Sequence, residues 1–258
     1  MNEMMQLRPL LLRLKLNGIS DILEETTNEA MEKNWSFTKL LLVLFSKEIE
    51  RREHKKICFL LSKSGLDPEK TLELFDFRFN KTISETLVRE LSQCHFIERR
   101  ENIFFVGPSG VGKTHLSNAL GHEACRRGYE VACGRAHLLI EWLHSGNGDG
   151  TFARRLEYLS KTPLLVLDDF GLLKMSELYQ NYLYEIICRR YEKQSTIITS
   201  NRDFEEWITV FENPLIASAA MDRLIHKAIK ITITGDSYRT IQFRKKQKEL
   251  FNDDQKML

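Results

Sequence analysis

The chain has 258 residues, 38 Lys plus Arg against 36 Asp plus Glu, and 42% apolar residues, a balance that excludes a disordered chain and fits one large or two modest folded domains. Its longest apolar run, the six residues Leu40 to Phe45, is far below the roughly 18 that cross a bilayer, so a cytoplasmic protein without a membrane partner is expected. The net charge of +2 names no polyanionic partner by itself, and five widely spaced cysteines without a CxxC pair indicate neither a disulfide framework nor a zinc site.

Residues 1–75 read as helical throughout. Leu7, Leu10, Leu11 and Leu14 recur at helical spacing, Asn17-Gly18 supplies a stop, and Ile19, Ile22 and Leu23 restart the pattern. Ser36 is placed to cap a long helix that carries Phe37, Leu40, Leu41 and Leu44 on one face. Farther along it Arg51, Arg52, Lys55 and Lys56 fall side by side at i, i+4 spacing. They are candidates for gripping a polyanion, as are Arg126 with Arg127 and Arg154 with Arg155, while Glu48, Glu50 and Glu53 offer intrahelical ion pairs as an equal explanation of the cluster. A turn at Gly65 to Pro68 closes the region.

Beyond residue 100 short apolar runs alternate with helical patterns, which predicts a parallel sheet flanked by helices. The runs are Ile103 to Val106, Tyr129 to Cys133, Leu164 to Leu167, Thr196 to Thr199, Ile229 to Ile233 and Thr240 to Phe243. Gly146 to Gly150 reads as a flexible loop and residues 246–258 as a loose tail.

The first run leads into Gly107-Pro108-Ser109-Gly110-Val111-Gly112-Lys113-Thr114, followed by His115 and a helical segment. This is the phosphate-binding loop pattern GxxxxGK[ST] at the strand-to-helix turn where its chemistry operates. Glycines let consecutive amides point inward around phosphate oxygens, Lys113 would neutralise the outer phosphates, and Thr114 would offer its hydroxyl to Mg²⁺. The third run ends in Asp168-Asp169. A buried strand would deliver Asp168 beside the loop to hold the Mg²⁺ shell, with Asp169 on the other side to orient water. The fourth run leads into Ser200-Asn201, where Asn201 would reach the γ-phosphate if its strand lies between the first and third, or would with Ser200 cap the helix starting near Phe204. His122 and Cys125 read as packing residues rather than metal ligands.

With these residues in place the chain resembles the IstB-type transposition helpers, AAA+ ATPases of the clade that includes the bacterial helicase loaders and the DnaA initiator. The resemblance runs through Leu14-Lys15-Leu16-Asn17-Gly18, Thr71 to Phe77, the loop from Gly107 to Leu116, and Leu167-Asp168-Asp169-Phe170-Gly171. It continues through Arg189-Arg190-Tyr191-Glu192, Thr199-Ser200-Asn201, Asp222-Arg223-Leu224, and Gly235 to Arg239.

The resemblance implies an α/β AAA+ P-loop NTPase over residues 76–245, preceded by a small helical DNA-binding domain over 1–75. It implies ATP and Mg²⁺ as cofactors, Asp168 as the magnesium-holding residue, Asp169 as the water-activating one and Asn201 as a sensor. Arg223 is then an arginine finger reaching the ATP of a neighbouring subunit. The expected partners are duplex DNA without sequence preference, a transposase, and further copies of the chain around the DNA. Many relatives carry Glu where this chain has Asp169, so slow turnover is expected. The thirty-five residues after Arg223 are too few for a separate helical lid, and Arg239 receives no role. A helicase loader of the DnaC type and a monomeric small-molecule kinase are the alternatives.

Overall fold

A computed structural model describes residues 3–254 of the chain. Two compact units divide between Phe59 and Leu60. The first holds α1 (Glu3–Arg13), α2 (Asn17–Glu32) and most of α3 (Phe37–Ser64). Ser36 caps α3 as expected, its hydroxyl accepting the Lys39 amide at 3.2 Å. The core of this unit is small: Leu11, Ile19, Leu23 and Leu44 are buried together. A carboxylate supplements it. Glu48 on α3 accepts the amides of Gly18 at 2.6 Å and Ile19 at 3.3 Å, the otherwise unpaired donors at the start of α2, and takes Arg52 Nε at 2.7 Å. Burial acts to raise its pKa, but Arg52 and the two amides hold it below the ordinary carboxylate value.

The expected helical stretch to residue 75 is shorter. Gly65, at φ +75°, turns the chain out of α3, and residues 65–84 form a strap of turns. Leu66, Leu72 and Phe75 of this strap pack on one face of the large unit's sheet, which explains why the boundary falls ahead of it.

The strap leads to α4 (Glu85–Leu91), α5 (His95–Glu98) and β1 (Asn102–Val106). There follow α6 (Lys113–Arg126), β2 (Val131–Arg135), α7 (Ala136–Asp149), α8 (Phe152–Lys161), β3 (Leu164–Asp168) and α9 (Glu177–Arg190). The chain ends with β4 (Ser195–Ser200), α10 (Phe204–Trp207), α11 (Pro214–Ile225), β5 (Ala228–Thr232) and α12 (Tyr238–Asp254). The five strands pair in parallel in the order β2-β3-β4-β1-β5. Because strand side chains alternate, Phe104, Leu165, Leu167 and Ile198 enter the core on one face while Ile103, Phe105, Val166 and Ile197 enter that on the other. This is the AAA+ P-loop architecture, with the one helix α12 after β5 among the described residues and no separate lid.

Three expectations are corrected. Gly146 to Gly150 is not a loop: α7 runs to Asp149, and Gly146 lets α8 approach, since a Cβ there would meet the Phe152 amide nitrogen at 2.8 Å. Thr240 to Phe243 is helix rather than strand, because Ser237 starts α12 by accepting the Thr240 amide at its hydroxyl and the Ile241 amide at its carbonyl. The tail expected from residue 246 is helical as far as Asp254, and residues 255–258 lie outside the described residues. No helix among the described residues is long and apolar enough to cross a membrane.

Arg190 ties α8, α9 and β4 together from a fully buried position. Its guanidinium donates to the carbonyls of Leu159, Thr162 and Ser195 and to the Thr196 hydroxyl. Burial without a carboxylate partner depresses its pKa, and these four acceptors are what make the charge tolerable there.

Candidate functional site

The C-terminal edge of the sheet, where β1, β3 and β4 end side by side, opens into a cleft of about 570 Å³. Ligands of open parallel sheets bind at such an edge. The loop after β1 forms its floor with Gly107, Gly110 and Gly112 at φ of +149°, +83° and +107°, values that side chains resist. Gly110 is further constrained, since a Cβ there would lie 2.2 Å from the Ser237 hydroxyl. The Tyr238 amide donates to the Gly110 carbonyl at 2.9 Å, so the start of α12 clasps the loop from outside.

Lys113, first residue of α6, is buried and folds back over the loop. Its ammonium donates to Gly107 O at 2.7 Å, Pro108 O at 2.6 Å and Asn201 Oδ1 at 2.6 Å. Burial pushes its pKa down to about 8, with Asp169 and Asp168 acting to raise it and Arg239 to lower it further. Asn201 lies at this site because β4 is inserted between β1 and β3. The helix at Phe204 is capped instead by Asp203, whose carboxylate accepts the Phe204 amide at 2.7 Å, so the capping alternative for Asn201 falls away.

Thr114 donates its hydroxyl to Asp168 Oδ1 at 2.8 Å. A carboxylate and a hydroxyl oxygen together are hard donors of the number and kind that Mg²⁺ takes from a protein while keeping waters and phosphate oxygens as its other ligands. The set fits that ion, and among the described residues there is no group of three or more His, Cys, Asp or Glu that could hold a metal. Asp169 follows in a left-handed conformation at φ +53°, and Arg135 at the end of β2 stands 3.9 Å from its carboxylate.

Residues 109 to 115 thus share one cleft with Asp168, Asp169 and Asn201. Arg223 is not among the residues lining it. That side chain, half-buried on α11, borders a separate crevice with Tyr191, Glu192 and His226. Arg51, Arg52, Lys55 and Lys56 belong to the other unit. Arg52 is held by Glu48 and by the Lys15 carbonyl at 2.9 Å, and Arg51 lies 3.6 Å from Asp21, so ion pairing accounts for these two. Lys55 and Lys56 are exposed and have no ionic partner among the described residues.

Sequence reasoning missed the cleft's outer wall. Leu74, Phe75, Phe79 and Asn80 of the strap face Tyr238 and Arg239 across it. His115 holds the strap by donating Nε2–H to Thr71 O at 2.7 Å, and His122 does the same to Asp67 O at 2.8 Å. Phe79 meets Tyr238 edge to face at 4.8 Å, and Asn80 donates to Thr234 O at 2.8 Å. No periodicity marks these positions. The only signals were the stretches Thr71 to Phe77 and Gly235 to Arg239, whose resemblance carried no role.

Residues 10–248 match the family described as IstB-like ATP binding protein. The chain is 35% identical over 240 residues to a protein named as an ATP-binding protein of insertion sequence IS5376 in Geobacillus stearothermophilus, covering 92% of this chain and 96% of that one. It is 36% identical over 242 residues to a protein named in the same way for insertion sequence IS21 of Pseudomonas aeruginosa, covering 94% and 91%. Among solved structures it resembles AMPPCP-bound DnaA from Aquifex aeolicus, with 28% identity and a TM-score of 0.54 over 72% of this chain and 57% of that one. The chain therefore spans somewhat over half the length of that structure.

Proposed function

Since the chain belongs to the IstB-like ATP binding protein family and is an ATP-binding AAA+ protein, we propose that it hydrolyses ATP between subunits assembled on duplex DNA and thereby assists the transposase of an insertion sequence. The observation that carries the reading is the split between cleft and Arg223. Lys113, Thr114, Asp168, Asp169 and Asn201 converge on one side of the sheet, while the remaining candidate lies apart on α11. A second copy supplying its Arg223 would complete the site.

In this reading the loop amides and Lys113 bind the β- and γ-phosphates, and Asn201 releases Lys113 to share the γ-phosphate. Asp168 and Thr114 hold Mg²⁺, which supplies charge neutralisation at the phosphates. Asp169 accepts the proton of the attacking water, and Arg223 of the neighbour offsets charge on the γ-phosphate. ATP bound at such an interface favours assembly, and its hydrolysis favours release.

The experiment is a titration of duplex DNA with simultaneous measurement of ATP hydrolysis and particle mass. Multi-subunit particles that require ATP and DNA together support the proposal; a monomer indifferent to DNA overturns it in favour of a small-molecule kinase. Requirement for a replicative helicase instead of a transposase would identify a loader, against which the insertion-sequence relatives weigh.

Two predictions belong here. Phosphate oxygens stabilise the charged ammonium, so ATP binding raises the pKa of Lys113 from about 8. The complex then takes up about half a proton near pH 8, and affinity falls by up to about tenfold per pH unit above it while staying flat below. Calorimetry in buffers of different ionisation enthalpy reads both effects. The second concerns DNA. Lys55→Gln with Lys56→Gln should lower the slope of log affinity against log salt by about two without loosening the helical unit. An unaltered slope moves the contact elsewhere.

A further inference from the structure

Asp168 and Asp169 leave β3 at a turn where one hydroxyl of the next strand touches both residues. The Thr199 hydroxyl of β4 donates to Asp168 Oδ1 at 2.5 Å and accepts the Asp169 amide at 3.1 Å. Its carbonyl accepts the Phe170 amide at 2.8 Å. Thr199 is fully buried, so its hydroxyl is screened from bulk solvent. The assignment of the one hydroxyl proton follows from its partners: an amide can only donate and a carboxylate can only accept, so the proton must point at Asp168.

The arrangement matters because the backbone alone holds Asp169 poorly and does not choose the rotamer of Asp168. Asp169 sits at φ +53°, a conformation that a side chain other than glycine keeps only when its surroundings enforce it. Asp168 Oδ1 has a second donor in Thr114 at 2.8 Å. That hydroxyl, however, faces the ligand side, and its oxygen is the one a magnesium–nucleotide complex would draw on. Among the described residues Thr199 then remains as the one hydroxyl fixing the Asp168 rotamer, and its β-branched side chain is stiff at χ1.

We infer that Thr199 is a positioning residue: one buried hydroxyl aims Asp168 at the metal and sets the backbone from which Asp169 reaches the water. The inference rests on the nucleotide reading of the cleft. It separates metal-dependent from metal-independent binding, because Thr199 touches the carboxylates and not the phosphate loop.

The test compares Thr199→Val, which keeps the shape and removes the hydroxyl, with Thr199→Ser, which keeps the hydroxyl. A fluorescent ATP analogue is titrated at a series of Mg²⁺ concentrations and in EDTA, and ATP turnover is followed in parallel. Thr199→Val should raise the Mg²⁺ needed for half-maximal binding about tenfold and lower kcat by about ten- to a hundredfold, the range seen when an outer-shell partner of a metal ligand is lost. Binding in EDTA should stay within about twofold of the parent, and Thr199→Ser should restore the magnesium midpoint to within about threefold. A Thr199→Val protein with the parent's magnesium midpoint overturns the inference, as does a serine variant as impaired as valine. A parent that binds the analogue under no condition overturns the reading of the cleft and the inference with it.

Discussion

Lys113→Ala weakens ATP binding by at least about a hundredfold, as expected for losing a charged donor to phosphate in a desolvated site, and abolishes ATP-stabilised assembly on DNA. The size of the effect follows from the contacts the ammonium makes with the cleft's own atoms. Three acceptors, Gly107 O, Pro108 O and Asn201 Oδ1, hold it within 2.7 Å, so the positive charge is already in place before nucleotide arrives. Alanine removes that charge from the floor of the cleft, while the arginines that line it among the described residues, Arg135 and Arg239, remain. Calorimetric titration with ATP measures the loss, and mass measurement on duplex DNA measures the assembly. Assembly that survives the substitution would show that the third phosphate does not govern it.

Arg223→Ala is the complementary case: ATP affinity stays within about twofold while hydrolysis falls by about a thousandfold or more, the usual worth of an arginine finger. The structure supports this separation. Arg223 donates Nη1–H to Ala219 O at 2.7 Å and lies 5.5 Å from the Tyr184 ring centroid, outside its own chain's cleft. Its removal therefore leaves that cleft's nucleotide contacts intact. Action across a head-to-tail interface has a further signature. Equal mixing of Arg223→Ala with Asp169→Asn subunits should recover up to about a quarter of parental turnover, because about one interface in four pairs an intact carboxylate with an intact arginine. Loss of ATP binding in Arg223→Ala, or mixtures no more active than their parts, would remove the residue from this role.

The phosphate loop and Asp168 were legible in the sequence because their chemistry is written in consecutive residues. Main-chain amides can surround phosphate only if glycines fall at fixed positions, and a buried strand that ends in carboxylate is visible as an apolar run. Asn201 was half legible: its role depended on β4 lying between β1 and β3, a fact of topology that no local pattern carries. The wall of Phe75, Phe79, Tyr238 and Arg239 was not legible, since it brings together segments some 160 residues apart through bonds such as Asn80 to Thr234. Thr240 to Phe243 misled for a different reason. Thr240, Ile241 and Phe243 favour extended structure locally, but Ser237 caps a helix there and leaves Phe243 64% exposed. In the helical unit the carboxylates beside Arg51 and Arg52 were visible in the sequence, yet the contact of Glu48 with the first turn of α2 could come only from the fold.

The strand order has a bearing on how the protein is made. The ribosome delivers β1 first among the strands, yet β1 lies between β4 and β5, the last two to emerge. The Ile233 amide, just past β5, bonds the Val106 carbonyl at the very mouth of the loop. A nascent chain therefore carries its phosphate-binding glycines exposed through most of translation, and such long-range pairing is slow to form. A message truncated between α6 and β5 yields a polypeptide that contains the complete GxxxxGKT stretch in its sequence but lacks the β5 partner of β1 and the Tyr238 and Arg239 side of the cleft.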